Sequence, residues 1–314
     1  MTVHHPSTHR PAIRVTTAML TSIAVALVIV SSPAGAVPAT EHAMSAPTAA
    51  ARHSPAAVST GGYHLVAVGD IAREGGAQAA TATVVARLGP QSLLLLGDNA
   101  YSSGSSAEYA AWFDPAYGRF APITWPLPGN HEYNTSGAAG YRAYFGVAGP
   151  TWWARRAGTW LVLGLDSERV GSVAQRAFVL ASLRANQGRP TVVAWHRPRY
   201  SSGMHGDQKD VGALWKLVSR DRDVQLVLWG HDHDYERMYV PVRDRRAKAA
   251  FVVGTGGAEL RGVRRHSGRT WSRHLLARTY GVLDLHLRAT GFSWRFVRTD
   301  GVITDAGSRS VVRR

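Results

Sequence analysis

Short, uninterrupted apolar runs recur along the chain, and most of them end on a small polar cluster. Residues 65–68 lead into Gly69-Asp70, 93–96 into Gly97-Asp98, 192–193 into Trp195-His196, and 226–228 into Gly230-His231. Residues 161–165 end on Asp166, and 251–253 on Gly254. Runs of this length, flanked by glycine, predict strands buried on both faces. Helices are expected over 77–88, 174–186 and 211–218, between those strands. Residues 280–287 and 292–297 alternate apolar with polar, the pattern of half-exposed strands, and are expected to close a second sheet. Strands alternating with helices give an α/β layout. In such folds side chains from distant segments converge beyond the carboxyl ends of the strands, where these clusters fall.

The clusters are rich in metal donors: Asp70; Asp98, Asn99 and Tyr101; Asn130, His131 and Glu132; His196; and His231, Asp232 and His233. Two metal ions held side by side need hard carboxylate oxygens, one of them bridging, with neutral imidazoles completing the shells. Both kinds of donor are present. The chain has no cysteine, which excludes zinc-finger and iron–sulfur sites. The glycines before Asp70, Asp98, Asn130 and His231 suit tight exits with close backbone approach. Taken singly, each Asp or His reads as a cap, a turn residue or a solvated side chain; the ordered set points to metal.

Taken together these strings resemble the calcineurin-like metallophosphoesterases, and within them the purple acid phosphatases. The first motif lacks the histidine common in the superfamily, with Ala72 in its place, and Tyr101 follows the second-motif Asp98 by three residues. His196-Arg197-Pro198-Arg199-Tyr200, His231-Asp232-His233-Asp234-Tyr235-Glu236-Arg237 and Gly254-Thr255-Gly256-Gly257-Ala258 extend the likeness over about residues 63–297. Ala72 also departs from that branch, which usually carries glycine there. The resemblance implies two β-sheets packed face to face and flanked by helices, a four-layer α/β fold. It implies two metal ions: Fe(III) on Asp70, Asp98, Tyr101 and His233, and a divalent ion (Fe, Zn or Mn) on Asn130, His196 and His231, bridged by Asp98. If Tyr101 does not ligate, another pair of ions fits the same donors. The implied reaction is hydrolysis of a phosphate monoester by in-line attack of a metal-bound hydroxide. His131 is the first candidate for the acid that protonates the leaving oxygen, and His205 the second. Glu132 and Asp234 are expected to orient ligating imidazoles, and Glu236 and Arg237 to form a structural ion pair or network. A phosphodiester or nucleotide substrate suits the same clamp.

Arg10 and Arg14 precede an apolar stretch over 18–30, and Ala34-Gly35-Ala36 has the small residues of a cleavage site. Residues 1–36 therefore read as a secretory signal peptide, and the stretch is shorter than the roughly 17–25 residues that span a bilayer. Residues 37–61, dominated by Ala, Pro, Ser and Thr, read as a flexible linker, and 62–310 as the catalytic domain. The expected location is outside the cell or on its wall, with membrane contact only during export. The net charge of +15 would draw phosphate anions or polyanions alike. Lysine occurs only at 209, 216 and 248, so the excess reads as an arginine-rich solvated surface, and no specific nucleic-acid partner is expected. A polyanion-binding exported protein is the non-enzymatic alternative. The sequence carries no signal for oligomeric state.

Overall fold

The computed structural model describes residues 62–243, 245–264 and 269–311, with Arg245 described in its backbone only. The expected signal peptide and linker lie outside the described residues. Thirteen strands are present among the described residues: β1 (Tyr63–Val68), β2 (Ser92–Leu95), β3 (Thr124–Trp125), β4 (Trp153–Ala157), β5 (Trp160–Gly164), β6 (Thr191–Ala194), β7 (Val224–Trp229), β8 (Asp234–Val242), β9 (Arg245–Val253), β10 (Ser272–Ala277), β11 (Gly281–Arg288), β12 (Gly291–Arg298) and β13 (Ile303–Ser310). The α-helices are α1 (Gln78–Leu88), α2 (Ser106–Glu108), α3 (Asp114–Tyr117), α4 (Ala139–Phe145), α5 (Val173–Ala185) and α6 (Gly212–Ser219). No described helix is long and apolar enough to cross a membrane.

The strands form two mixed sheets, ordered β13-β12-β11-β1-β2-β3 and β10-β8-β9-β7-β6-β5-β4. The alternation of side chains along each strand shows how the layers stack. Leu65 and Ala67 of β1 enter a core shared with Val192, Ala194, Leu226 and Leu228 of the other sheet. Val66 and Val68 face the opposite way, toward Val84, Val85, Phe113 and Tyr117 under α1 and α3. Val193 and Val227 likewise face α5 and α6 through Val179, Leu183, Leu214 and Val218. Both faces of each central strand are therefore dry, which is why these segments read as continuous apolar runs. The result is the four-layer fold that the resemblance implied.

One expectation needs correction. β11 and β12 do not close the second sheet; β11 pairs antiparallel with β1, Tyr63 opposite Leu287 and Ala67 opposite Leu283, and so extends the first. Leu283, Leu285 and Leu287 continue the inter-sheet core on one face, and this burial selects the edge. Ala72 is fully buried among the apolar side chains under α1, and its carbonyl accepts from the Tyr101 amide at 2.8 Å. The departure from glycine at that position is thus absorbed by packing.

Candidate metal centre

β1 runs parallel to β2 in one sheet and β6 parallel to β7 in the other, so their carboxyl ends deliver Asp70, Asp98, His196 and His231 to one edge of the fold. Three of the candidate donors, Asp70, Asp98 and His231, have positive φ (60°, 50° and 72°), a region that side chains other than glycine seldom occupy. Such backbone is kept where the surroundings over-determine it, and it aims all three side chains inward. The neighbouring glycines are required for space. A Cβ on Gly129 would lie 2.1 Å from Asp98 Oδ1, and one on Gly97 would lie 2.7 Å from His196 Nδ1.

Three donors meet around the Tyr101 hydroxyl, itself the fourth. Tyr101 Oη lies 2.8 Å from Asp70 Oδ1, 3.2 Å from Asp98 Oδ2 and 3.1 Å from His233 Nε2. A second group shares Asp98: its Oδ2 is 3.1 Å from His196 Nε2, which is 3.3 Å from His231 Nδ1. The ligand atoms of Asp98, His196 and His231 all lie within 4.8 Å of one another. Bonds of roughly 2.0–2.2 Å to one cation put neighbouring ligand atoms roughly 3 Å apart, the separation seen in both groups. Asn130 Oδ1 is buried with no hydrogen-bond partner, an arrangement that costs free energy unless a cation takes the lone pair. The donor set therefore fits two metal ions with Asp98 between them.

Electrostatics say the same. Burial works against the charged form of Asp98, yet His196, His131 and His231 around it hold its carboxyl well below the usual range. Burial alone would depress His196, but the Asp98 carboxylate outweighs it and raises its pKa to about 10, while burial and the neighbouring His196 and His205 lower His231 to about 2. Burial, with Asp70 and Asp98 beside it, pushes the Tyr101 phenol well above its ordinary value. A cation at these atoms inverts that order, replacing protons on the phenol and on His196.

The imidazoles are oriented by backbone carbonyls rather than by carboxylates. His196 Nδ1 pairs with Leu96 O at 2.8 Å, and His233 Nδ1 with Glu259 O. This corrects the roles expected for Glu132 and Asp234, neither of which touches an imidazole of the donor set. Glu132 is fully buried and accepts from the backbone N–H groups of Asp98 (3.0 Å), Asn99 (2.8 Å) and Gly129 (2.6 Å), and from the Tyr109 hydroxyl (3.1 Å). Burial and the Asp98 charge push Glu132 up to about 7, yet this many donors leave it acting as the acceptor that ties the second and third clusters together. Asp234 is buried with neither carboxyl oxygen partnered, and burial next to Asp232, Glu236 and Asp70 pushes it well above the carboxylate range. Glu236 and Arg237 do not pair with each other: Glu236 accepts from the amide and hydroxyl of Ser202, each at 2.8 Å, while Arg237 grips Asp305 at 2.8 and 3.0 Å. Asp166 accepts from Tyr133 and Thr151 at 2.5 Å and stands outside the donor set. The amides of Gly254, Gly256 and Ala258 are spent on Asp234, Gly69 and Asp70 carbonyls, so this segment braces the first cluster.

His131 and His205 flank the donors. The His131 ring packs 4.4 Å from that of Tyr101, its Nδ1 is 2.6 Å from Ser102 O, and its Nε2 faces Asp98 Oδ2 at 3.9 Å. His205 stacks on His231 at 4.3 Å; its Nδ1 is 3.1 Å from His231 O, and its Nε2 is 2.6 Å from Arg261 Nη1. Arginine only donates and a carbonyl only accepts, so these contacts put a proton on His205 Nδ1, which also lies 3.3 Å from Asp232 Oδ1. The carbonyls of Leu96 and Glu259, the clamp made by Glu132 and the contact from Arg261 escaped sequence reasoning. The two carbonyls carry no side-chain signal, and Arg261 sits in no pattern.

The calcineurin-like phosphoesterase family model matches residues 63–235. No curated protein matches the chain in sequence. Among solved structures the fold is similar to a purple acid phosphatase from yellow lupin (Lupinus luteus) seeds, with a TM-score of 0.66 at 19% identity over 79% of this chain and 53% of that one. It is equally similar to GAP50, the anchor in the inner membrane complex of Plasmodium, with a TM-score of 0.66 at 14% identity over 80% of this chain and 90% of that one. A dimetal phosphatase from Danio rerio aligns with a TM-score of 0.55 at 12% identity, over 80% of this chain and 99% of that one.

Proposed function

Because the chain belongs to the calcineurin-like phosphoesterase family and is a metal-dependent phosphoester hydrolase, we propose that it is an exported dinuclear phosphatase acting on phosphate monoesters. The observation that carries this reading is the pair of donor groups that share Asp98, together with a buried and unpartnered Asn130 Oδ1. Asp70, Asp98, Tyr101 and His233 would hold one ion, and Asp98, Asn130, His196 and His231 the other. Ions bound there supply Lewis acidity, activating water and neutralising the phosphoryl oxygens.

The remaining work falls to the protein. Asp98 fixes the spacing of the two donor groups, and Glu132 fixes the loops that carry Asp98 and Asn130. His131 is the proton donor to the leaving oxygen. Its Nδ1–H is spent on Ser102 O, which leaves Nε2, 3.9 Å from Asp98 Oδ2, as the atom that holds the proton. His205 has Arg261 on Nε2 and so has no proton to give at that atom. Replacing His131 by Ala is expected to lower kcat by roughly 10²–10⁴-fold on alkyl phosphates. On p-nitrophenyl phosphate, whose leaving group needs no proton, the loss should be much smaller; an equal loss on both substrates would remove His131 from the acid role.

We read one ion as Fe(III), since Tyr101, once a metal displaced its proton, would offer a phenolate among carboxylates, a donor set that suits a hard trivalent cation. The loaded protein should then show a visible absorption band that Tyr101→Phe abolishes. Colourless, active protein free of iron would overturn the metal assignment and leave the phosphatase reading in place. Comparing phosphate release from a monoester and from a diester tests the substrate class: higher kcat/KM on the monoester is expected, and diester preference would favour the alternative. Export rests on Arg10, Arg14, the apolar stretch 18–30 and Ala34-Gly35-Ala36. Protein recovered from the medium should begin near Val37, whereas retention in the cytoplasm with the leader intact would contradict it.

A further inference from the structure

A cavity of about 330 Å³ opens beside His205, lined by Ser201, Ser202, Asp207, Arg264 and Arg269 as well as His205 itself. Since His205 stacks on His231, this cavity begins one imidazole away from the metal donors. A second cavity, of about 690 Å³, is lined by Tyr144, Trp153 and Arg155 among others and contains none of those donors.

The loop that forms the nearer cavity has turned its acids away. Asp232 is buried and accepts from the amides of His205 (2.7 Å) and Gly206 (3.2 Å), while Asp207 is paired with Arg269. Glu236 is occupied by Ser202 and Ser272. The cations have not been neutralised to match. Arg261 meets the His205 ring and no carboxylate, and Arg264 has no carboxylate partner among the described residues. Their positions are fixed from the backbone: Gly203 and Val263 form an antiparallel bridge, and the Arg264 amide donates to Ser202 O at 3.0 Å. Guanidinium groups held beside a phosphoesterase site present forked donors suited to phosphate.

Resting on the phosphoesterase reading above, we infer that this cavity is a subsite for a second phosphate carried on the leaving group, held by Arg261 and Arg264. The substrate class is then a bisphosphorylated small molecule, with one phosphate at the metal donors and the other across His205. Specificity comes from Arg264, the one lining charge without a carboxylate partner among the described residues, and from Arg261, which stands behind the lining at 2.6 Å from His205 Nε2. His205 acts as the partition between the two phosphates, which accounts for a ring whose two nitrogens are both already engaged.

The test is calorimetric binding of propylphosphonate and of propane-1,3-diphosphonate to the metal-loaded full chain, so that no turnover is needed. The diphosphonate should bind tighter by roughly tenfold or more, the worth of one or two charge-assisted hydrogen bonds. Arg264→Ala and Arg261→Gln should each bring the ratio of the two affinities toward one, and Arg264→Lys should keep part of it. Arg264 is exposed, so its truncation does not open the core. Equal affinities in the unaltered protein, or a ratio that neither substitution moves, would overturn the subsite alone. If neither phosphonate binds, the phosphoesterase reading fails and the subsite with it. Turnover of a sugar bisphosphate against a nucleoside diphosphate then identifies which carrier brings the second phosphate.

Discussion

Asp98→Asn should reduce phosphate release by at least roughly 10³-fold while leaving the fold intact. Asp98 is the one side chain common to both donor groups, with Oδ2 facing Tyr101 and His196 and Oδ1 accepting from the His131 amide at 2.9 Å. The amide has nearly the same shape, so packing survives. What goes is a negative charge that a bridging position needs, because a neutral amide oxygen offset by an NH₂ group cannot hold two cations at once. The imidazole at His196 also loses the partner that raises its pKa, and its proton affinity should fall with it. Measuring kcat/KM together with far-ultraviolet circular dichroism separates loss of chemistry from loss of fold. Activity within tenfold of the parent would mean that Asp98 does not bridge.

Glu132→Ala should be the most destabilising single change near the site, by about 3–5 kcal/mol, because it strands buried partners of a charged group. Backbone N–H groups of Asp98, Asn99 and Gly129 all point at this carboxylate, and none has water to turn to, since Glu132 is fully buried. With the clamp gone, the loops bearing Asp98 and Asn130 separate, so metal affinity should drop as well. Glu132→Gln keeps the volume but replaces one acceptor by a donor facing other donors, so it should recover only part of the loss. Urea unfolding of both variants checks the ranking. A midpoint unchanged by Glu132→Ala would show that the loops are held by something else.

Both predictions concern residues that were visible in the sequence, but for different reasons. Asp70, Asp98, His196 and His231 were legible because each follows a strand that is dry on both faces, and such strands advertise themselves as unbroken apolar runs; Asn130 was legible only from its motif string. The α/β layout was legible from the same runs, and the four-layer arrangement from the family that the motif strings resemble. Glu132 was visible as a residue but misread in role, since a carboxylate near metal-ligating histidines suggests a partner for imidazole, whereas here it satisfies backbone amides. Leu96 and Glu259 perform the orienting through main-chain oxygens, which leave no trace in side-chain pattern. The placement of β11 and β12 was illegible because it depends on pairing with β1, more than two hundred residues earlier, and alternation fixes a face without naming a neighbour. The helical segment over 106–123 was missed although Tyr109, Phe113, Tyr117 and Phe120 recur at helical intervals and share a core, because Pro115, Gly118 and Pro122 punctuate the string that carries them.

The account stands on two cations lying side by side, each held by the donors named above and sharing Asp98. Anomalous diffraction from crystals of the metal-loaded protein tests this directly. Two peaks are expected, separated by roughly 3.5–4 Å, one among Asp70, Tyr101 and His233 and the other among Asn130, His196 and His231. A single peak, or peaks away from Asp98, would contradict it.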